Sequence, residues 1–149
     1  SDAFSSAAEL FREVSRYYAS QNVCLCLEAN PPQYGCTFIT NSQEAADLVR
    51  TVASPGFRLH LDTACMFLAG ENIPEALSSH RDILQHFHVS EPNLGSFHQP
   101  VLDHAPIAAA LLSASYNGWI SLEMRETEQP VPALVEAVEF VQRIYGCGL

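Results

Sequence analysis

Residues 57–90 read FRLHLDTACMFLAGENIPEALSSHRDILQHFHVS, and this stretch decides the fold. Residues 57–61 predict a strand that ends at Asp62. Residues 73 to about 85 then show helical spacing, with Pro74 at a position that a first helical turn tolerates. Residues 86–90 predict another strand. Strand, helix and strand within about 30 residues are typical of one step of a parallel sheet.

The same step recurs on both sides of this stretch. The predicted strands are short and mostly apolar, as expected for parallel strands that are covered on both faces. The sequence therefore predicts one α/β domain, 1–149, built from parallel βα repeats. A flavodoxin-like open sheet would share this pattern, but no glycine-rich phosphate loop opens any of the helices. The predicted helices cover 4–19, 43–53, 73–85, 105–115 and 132–145, and the predicted strands cover 23–27, 57–61, 86–90 and 119–122.

Composition and charge exclude several classes of function. The chain has 149 residues, of which 48% are hydrophobic and 16% charged, which is typical of a globular domain rather than a disordered one. Its net charge of −10 repels phosphate backbones and anionic lipid surfaces. No apolar run approaches the roughly 20 residues of a membrane span. We therefore expect no nucleic-acid partner, no membrane partner and a cytoplasmic location.

The cysteines and the N-terminus add two expectations. The five cysteines are an odd number without the regular spacing of a disulfide framework, so we expect reduced thiols. Cys24 and Cys26 fall on one face of a predicted strand. The chain opens with Ser1 and no Met, which indicates a processed, tagged or truncated N-terminus.

Each predicted strand ends in a residue that can bind a metal: Glu28, Asp62, His88 and Glu123. In a (β/α)₈ barrel the carboxyl ends of the strands converge on one mouth, so these side chains would surround one point. Three carboxylates and an imidazole suit one divalent cation such as Mn²⁺, Mg²⁺ or Co²⁺, with Zn²⁺ less favoured. Taken singly, the glutamates are also compatible with solvated loop acids, Asp62 with a helix cap and His88 with a core histidine.

The strand ends carry a family resemblance. The strings LEANPP at 27–32, LDT at 61–63, HFHVSE at 86–91 and SLE at 121–123 resemble successive strand ends of the xylose isomerase-like TIM-barrel superfamily. This group includes sugar epimerases and isomerases. The resemblance implies that the chain is the C-terminal half of such a barrel, with strands 5 to 8 present and strands 1 to 4 absent.

The resemblance also implies a chemistry. Glu28, Asp62, His88 and Glu123 would be the metal ligands of a sugar or hydroxy-ketone isomerase or epimerase. Glu28 and Glu123 would exchange protons with a substrate carbon, one from each face, through an enediolate. A carbon acid beside a carbonyl needs both a cation to stabilise that oxyanion and a positioned base to take the proton.

Two departures from the epimerase pattern concern substrate binding. Relatives usually have a histidine three residues after the aspartate, where this chain has Cys65, and an arginine six residues after the strand histidine, where it has Leu94. A thiol is a weaker hydrogen-bond donor than an imidazole. A metal-binding but catalytically inactive half-barrel is therefore the alternative, and a plain interaction domain is a third hypothesis. The endonuclease members need further histidines at spacings that this chain does not reproduce.

Three residues are candidates for substrate contact. Cys65 occupies the position of the missing histidine, and His98 lies in the long loop after the third strand. Arg125, two residues past Glu123, could bind an anionic group or form an exposed ion pair. Glu91 could orient a ligand or be a solvated loop acid.

Four parallel strands alone leave both outer strands with an unpaired edge. We also expect their barrel-facing side to be an apolar patch, because alternate strand residues would lose the partners they face in a full barrel. These features predict a homodimer, or completion by an N-terminal half-barrel.

Overall fold

The computed structural model describes residues 2–146, in which four parallel strands alternate with helices. Single 3₁₀ turns follow the first and third strands at Pro32–Tyr34 and Pro92–Leu94. No helix among the described residues is long and apolar enough to cross a membrane. The elements are α1 Asp2–Ser20, β1 Leu25–Glu28, α2 Ser42–Val52, β2 Phe57–Asp62, α3 Thr63–Leu68, α4 Ile73–His80, β3 Leu84–Ser90, α5 His104–Ser113, β4 Trp119–Glu123 and α6 Pro130–Tyr145.

The strands lie in the sheet in the order in which they occur in the chain, β1-β2-β3-β4, and every pairing is parallel. A flavodoxin-like sheet would place a later strand on the far side of the first. Sequential order is the arrangement of a (β/α)₈ barrel, so the predicted half-barrel is confirmed. The carboxyl ends of all four strands consequently meet along one edge.

The hydrophobic core lies between the sheet and its helices. Phe57, Leu59, Leu61, Phe87 and Val89 point toward the helices and are each at most 2% exposed. Burial of each of these side chains stabilises the fold by roughly 1.5–3 kcal/mol. Phe11 of α1 stacks on Phe57 with ring centroids 4.6 Å apart, and this contact holds the first helix against β2.

The opposite face of the sheet, here called the concave face, corrects one prediction. Because side chains alternate along a strand, the residues between the core positions point to this face. Most of these residues are polar, so the expected apolar patch is wrong, although the exposed Trp119 lies on this face as the register partner of His86. The concave face carries Cys26, Arg58, His60, His86, Trp119 and Ser121. The other apolar members of each strand cover the helix side instead.

Most element ends differ from prediction by one or two residues, and the end of α4 differs by more. The helix predicted to run to about residue 85 ends at His80, and β3 begins at Leu84 because Ile83 already turns back to donate to the His80 carbonyl at 3.1 Å. The short helix α3 was not predicted. It starts directly after β2, because the Asp62 carboxylate accepts a hydrogen bond from the Cys65 backbone at 2.8 Å and caps it.

Candidate metal centre

The four strand ends form one cluster of possible metal ligands. One ligand atom from each of Glu28, Asp62, His88 and Glu123 lies within 4.8 Å of all the others. His88 Nδ1 lies 3.2 Å from Glu123 Oε2, 3.8 Å from Glu28 Oε1 and 4.0 Å from Asp62 Oδ2. The fold thus brings the four predicted ligands to one point at the edge of the sheet.

Asp62 is held in place before any ligand arrives. Its side chain is buried, Oδ1 accepts from the Cys65 backbone, and Oδ2 accepts from the Ser90 hydroxyl at 2.6 Å. Each carboxylate oxygen keeps a second lone pair. Outer hydrogen bonds of this kind orient a carboxylate for metal binding, so the predicted cap and the predicted ligand are compatible in one residue.

Glu28 is the least satisfied member of the cluster. Its Oε1 atom is buried and has no hydrogen-bond partner within residues 2–146, while Oε2 accepts from Asn30 at 3.5 Å. Burial, and then the charges of Asp62 and Glu123, raise the pKa of Glu28 to about 7. A buried oxygen without a partner costs free energy that a cation would recover. Three carboxylates and one imidazole therefore fit one hard or borderline divalent cation.

A cavity of about 380 Å³ opens in front of the cluster. This volume falls in the range of small-molecule sites. Cys65 lines it, with its thiol 3.9 Å from Asn30 Oδ1, and burial is the main cause that raises the pKa of this thiol, which stays protonated. The lining residues are Glu28, Asn30, Tyr34, Asp62, Ala64, Cys65, Ser90, Asn93, Leu94, Glu123 and Arg125.

Arg125 and His98 differ in where the fold places them. Arg125 lines the cavity, its backbone donates to the Leu94 carbonyl at 3.0 Å, and its guanidinium donates to the Asn93 carbonyl. His98 is not a lining residue. Its Nδ1 lies 2.6 Å from Glu136 Oε1 on α6, and its side chain is 70% exposed. The fold therefore brings Cys65 and Arg125 to the candidate site but not His98.

Glu91 has a structural partner that the sequence did not reveal. It is 1% exposed and lies 2.7 Å from His104 Nε2, and its other oxygen accepts from the Val101 backbone at 2.7 Å. His104 Nδ1 in turn lies 2.6 Å from the Tyr145 hydroxyl. Glu91 thus points into the helix layer and pins the loop after β3. It is neither a solvated loop acid nor directed at the cluster.

Two further histidines lie beside the cluster on the concave face. His60 and His86 are register partners on β2 and β3, and both rings contact the ring of His88. Neither was among the site residues predicted from the sequence. The available signal was spacing, because each lies two residues before a predicted ligand and so on the same strand face.

Comparisons with known proteins agree with this architecture. The model of the family described as "Xylose isomerase-like TIM barrel" matches residues 1–144. No curated protein sequence matches the chain. Solved structures do, and they include several sugar epimerases as well as an AP endonuclease of family 2 from Brucella melitensis and a probable 3-DHS dehydratase from Bacillus anthracis.

Three of these structures illustrate the likeness. An L-ribulose 3-epimerase has a TM-score of 0.86 at 18% identity, covering 95% of this chain and 53% of its own. The 3-keto-D-glucoside 4-epimerase of E. coli has a TM-score of 0.83 at 20% identity, covering 91% and 52%. The D-psicose 3-epimerase of Clostridium cellulolyticum H10 has a TM-score of 0.82 at 21% identity, covering 95% and 56%.

At such identities the likeness to these structures is one of fold. The chain spans about half the length of the solved relatives it matches. The family match extends over almost the whole chain and agrees with the sequential parallel sheet and its ligand-bearing edge. The chain belongs to the xylose isomerase-like TIM-barrel family.

Proposed function

We propose that this chain is the C-terminal half of a divalent-metal-dependent sugar or hydroxy-ketone isomerase or epimerase. One observation carries the proposal: four possible ligands from four strands converge on a buried, unpartnered Glu28 oxygen beside a cavity. The small-sugar chemistry named for the solved neighbours supports the substrate class. We further propose that residues 1–149 act as one domain.

Glu28, Asp62, His88 and Glu123 would hold the cation, with Mn²⁺, Mg²⁺ or Co²⁺ preferred over Zn²⁺ because oxygen ligands dominate. When bound, the cation would supply Lewis-acid stabilisation of negative charge on a substrate oxygen. The hydrogen bonds from Cys65 and Ser90 to Asp62 would keep this carboxylate oriented throughout.

Glu28 and Glu123 are the proposed proton-transfer groups, and the substrate passes through an enediolate. Both line the cavity. In the metal-free chain burial raises the pKa of Glu28 to about 7, and a bound cation would favour the carboxylate form, which is the form that takes a proton. Cys65 and Arg125 would contact substrate oxygens, and His98 stays a prediction from its loop position.

A catalytically inactive, metal-binding half-barrel is the second candidate. Cys65 and Leu94 favour it, because both line the cavity at positions where sugar-binding relatives carry stronger polar donors. For either candidate, a second copy of the chain or an N-terminal half-barrel would supply the missing wall of the cavity.

Titration calorimetry with Mn²⁺ tests the metal centre. We expect one equivalent to bind, Asp62→Ala to abolish binding, and Glu9→Gln, an exposed change on α1, to leave it intact. Unchanged Mn²⁺ affinity in Asp62→Ala would show that the ligand assignment is wrong.

Deuterium exchange at a ketose carbon then separates the two candidates. The isolated chain should be nearly inactive on ketohexoses. The completed barrel should exchange if it is an epimerase and should not if it is an inactive relative.

A further inference from the structure

Three imidazoles form a second cluster on the concave face, deeper in the sheet than the carboxylates. The ring centroid of His60 lies 4.0 Å from that of His88 and 5.0 Å from that of His86, and His86 lies 5.0 Å from His88. One nitrogen from each ring lies within 4.8 Å of the other two. No packing requirement explains this arrangement, since apolar residues fill the core on the other side of the sheet.

The deepest ring has an unused nitrogen. His60 is 8% exposed, and its buried Nε2 has no hydrogen-bond partner within residues 2–146. Glu28 Oε1 is 3.5 Å from it but is itself unpartnered, so the two atoms do not satisfy each other. A buried polar atom without a hydrogen-bond partner usually indicates a position where a water or an ion binds.

A metal ion can bind these rings through the ring nitrogens that carry a lone pair. A neutral imidazole has one such nitrogen, and neutral imidazole is the form that ligates metals.

We propose that His60, His86 and His88 form a second metal site, which takes a borderline transition-metal ion such as Zn²⁺. Imidazole nitrogen suits Zn²⁺, Cu²⁺ and Ni²⁺, whereas the carboxylate cluster suits Mn²⁺ and Mg²⁺. The two sites therefore differ in selectivity. This inference goes beyond the proposed isomerase or epimerase function and does not require it.

The surrounding contacts support the assignment. His86 Nε2 lies 3.0 Å from the Ser121 hydroxyl, the kind of outer hydrogen bond that orients a histidine ligand and leaves its other nitrogen for the ion. His88 directs Nδ1 at the carboxylates, so Nε2 is its nitrogen for the second ion. With both ions bound, the ring proton of His88 would pass to solvent and the ring would bridge the two ions as imidazolate.

Zinc stoichiometry tests the site. The chain carries a Cys26→Ser change throughout, because the Cys24 and Cys26 sulfurs lie 4.0 Å apart and would compete for Zn²⁺. We expect two Zn²⁺ equivalents but one Mn²⁺ equivalent. His86→Ala should lose one Zn²⁺ and keep Mn²⁺, because His86 is not a member of the carboxylate cluster. His98→Ala, the exposed control, should keep both Zn²⁺ ions.

Nitrogen NMR of the imidazoles identifies the ligands. The second Zn²⁺ equivalent should shift the ring signals of His60 and His86 and leave those of His98 unmoved. His86→Asn repeats the test with a polar side chain if circular dichroism shows His86→Ala to be unfolded. One Zn²⁺ equivalent in the parent chain, or a second equivalent that survives both His86 changes, would overturn the proposal. If the parent chain binds Zn²⁺ at the histidine site but binds no Mn²⁺, the proposed function is overturned and the second metal site is not.

Discussion

Glu28 couples the candidate site to the stability of the chain. A carboxyl whose pKa is higher in the folded state holds its proton more tightly there than when unfolded. The pKa of Glu28 rises from 4.5 to about 7, so the metal-free chain should be most stable below about pH 4.5 with respect to this group. That stabilisation is lost as the pH rises to about 7.

Urea unfolding at pH 5 and pH 8 measures this loss. In the parent chain, the Glu28 carboxyl should lower the free energy of unfolding by roughly 2 kcal/mol between pH 5 and pH 8, after allowance for solvent screening of a partly exposed side chain. Glu28→Gln should not show this decrease. His60 acts in the opposite direction, because its lowered pKa makes stability fall as pH drops from 6.5 toward 3. The difference between variant and parent is therefore the test, and equal pH dependence in both would contradict the role of Glu28.

Metal affinity should follow the same proton. Because a cation must displace the proton from Glu28, Mn²⁺ affinity should rise with pH up to and through about pH 7. Calorimetry at pH 6 and pH 8 in two buffers of different ionisation enthalpy would report the proton released. Affinity that is independent of pH across this interval would argue against Glu28 as a ligand.

Cys65 is one of the two positions at which the proposed substrate contacts differ from the epimerase pattern. If the site is a decayed epimerase, Cys65→His should increase any trace deuterium exchange at a ketose carbon, because an imidazole is a better donor than the protonated thiol. Cys36→His, outside the cavity lining, is the control. Exchange that does not change in Cys65→His would favour the inactive alternative.

The ligand set could be predicted from sequence because it needs only strand ends, which apolar runs reveal. Contacts that depend on loop paths could not. His98 bonds to Glu136 on α6, and Glu91 reaches His104, across separations of 38 and 13 residues that no periodicity encodes.

At the scale of elements, the Glu91–His104–Tyr145 contacts join the loop after β3 to α5 and α6. His104→Ala would remove the side-chain partner of both Glu91 and the Tyr145 hydroxyl, and a buried polar group that loses its partner costs about 1–3 kcal/mol. We expect a correspondingly large fall in the midpoint of urea unfolding. His80→Ala is a matched comparison. His80 is also a buried helix histidine, but its side-chain partner is the exposed Arg50 and not a buried acid. Equal losses in the two variants would remove the special role of Glu91.

Whether a segment forms a helix or a strand could be predicted from the spacing of its hydrophobic residues. The ends of helices that are set by single hydrogen bonds could not. The helix α4 carries an apolar pattern past His80, yet the Ile83 backbone bonds to the His80 carbonyl and turns the chain toward β3. The helix α3 begins with no intervening loop, so no turn signal announces it.

For the whole molecule, we still predict that the chain associates with a second copy or with an N-terminal half-barrel. The physical basis differs from the apolar barrel-facing patch that the sequence predicted. The strands β1 and β4 are the edges of the sheet, as expected, while the concave face is mostly polar. An exposed apolar stripe lies on α6, where Val131, Leu134, Val135 and Val138 follow helical spacing, and Trp119 on the edge strand β4 is exposed as well. Unpaired strand edges and an apolar helix stripe both favour a partner.

Light scattering at micromolar concentration tests this prediction. We expect a mass above the 16.4 kDa of one chain, reduced by Leu134→Glu if the α6 stripe contributes. Glu9→Gln is an exposed control on α1. A sharp, folded peak at the monomer mass would contradict association.

The sequential order of the strands has a kinetic consequence. Each strand pairs with the next one in the chain, so contacts such as Leu61 with Phe87 and Phe87 with Ile120 join residues only 26 and 33 positions apart. Folding rate falls with the sequence separation of contacts, because long loops must close before their contacts form. A sheet in which each strand pairs with the next strand in the chain needs no long loop to close. During synthesis, β2 can dock on β1 as soon as it emerges from the ribosome, and β3 and β4 can add in turn, so the fold can grow in the direction of translation.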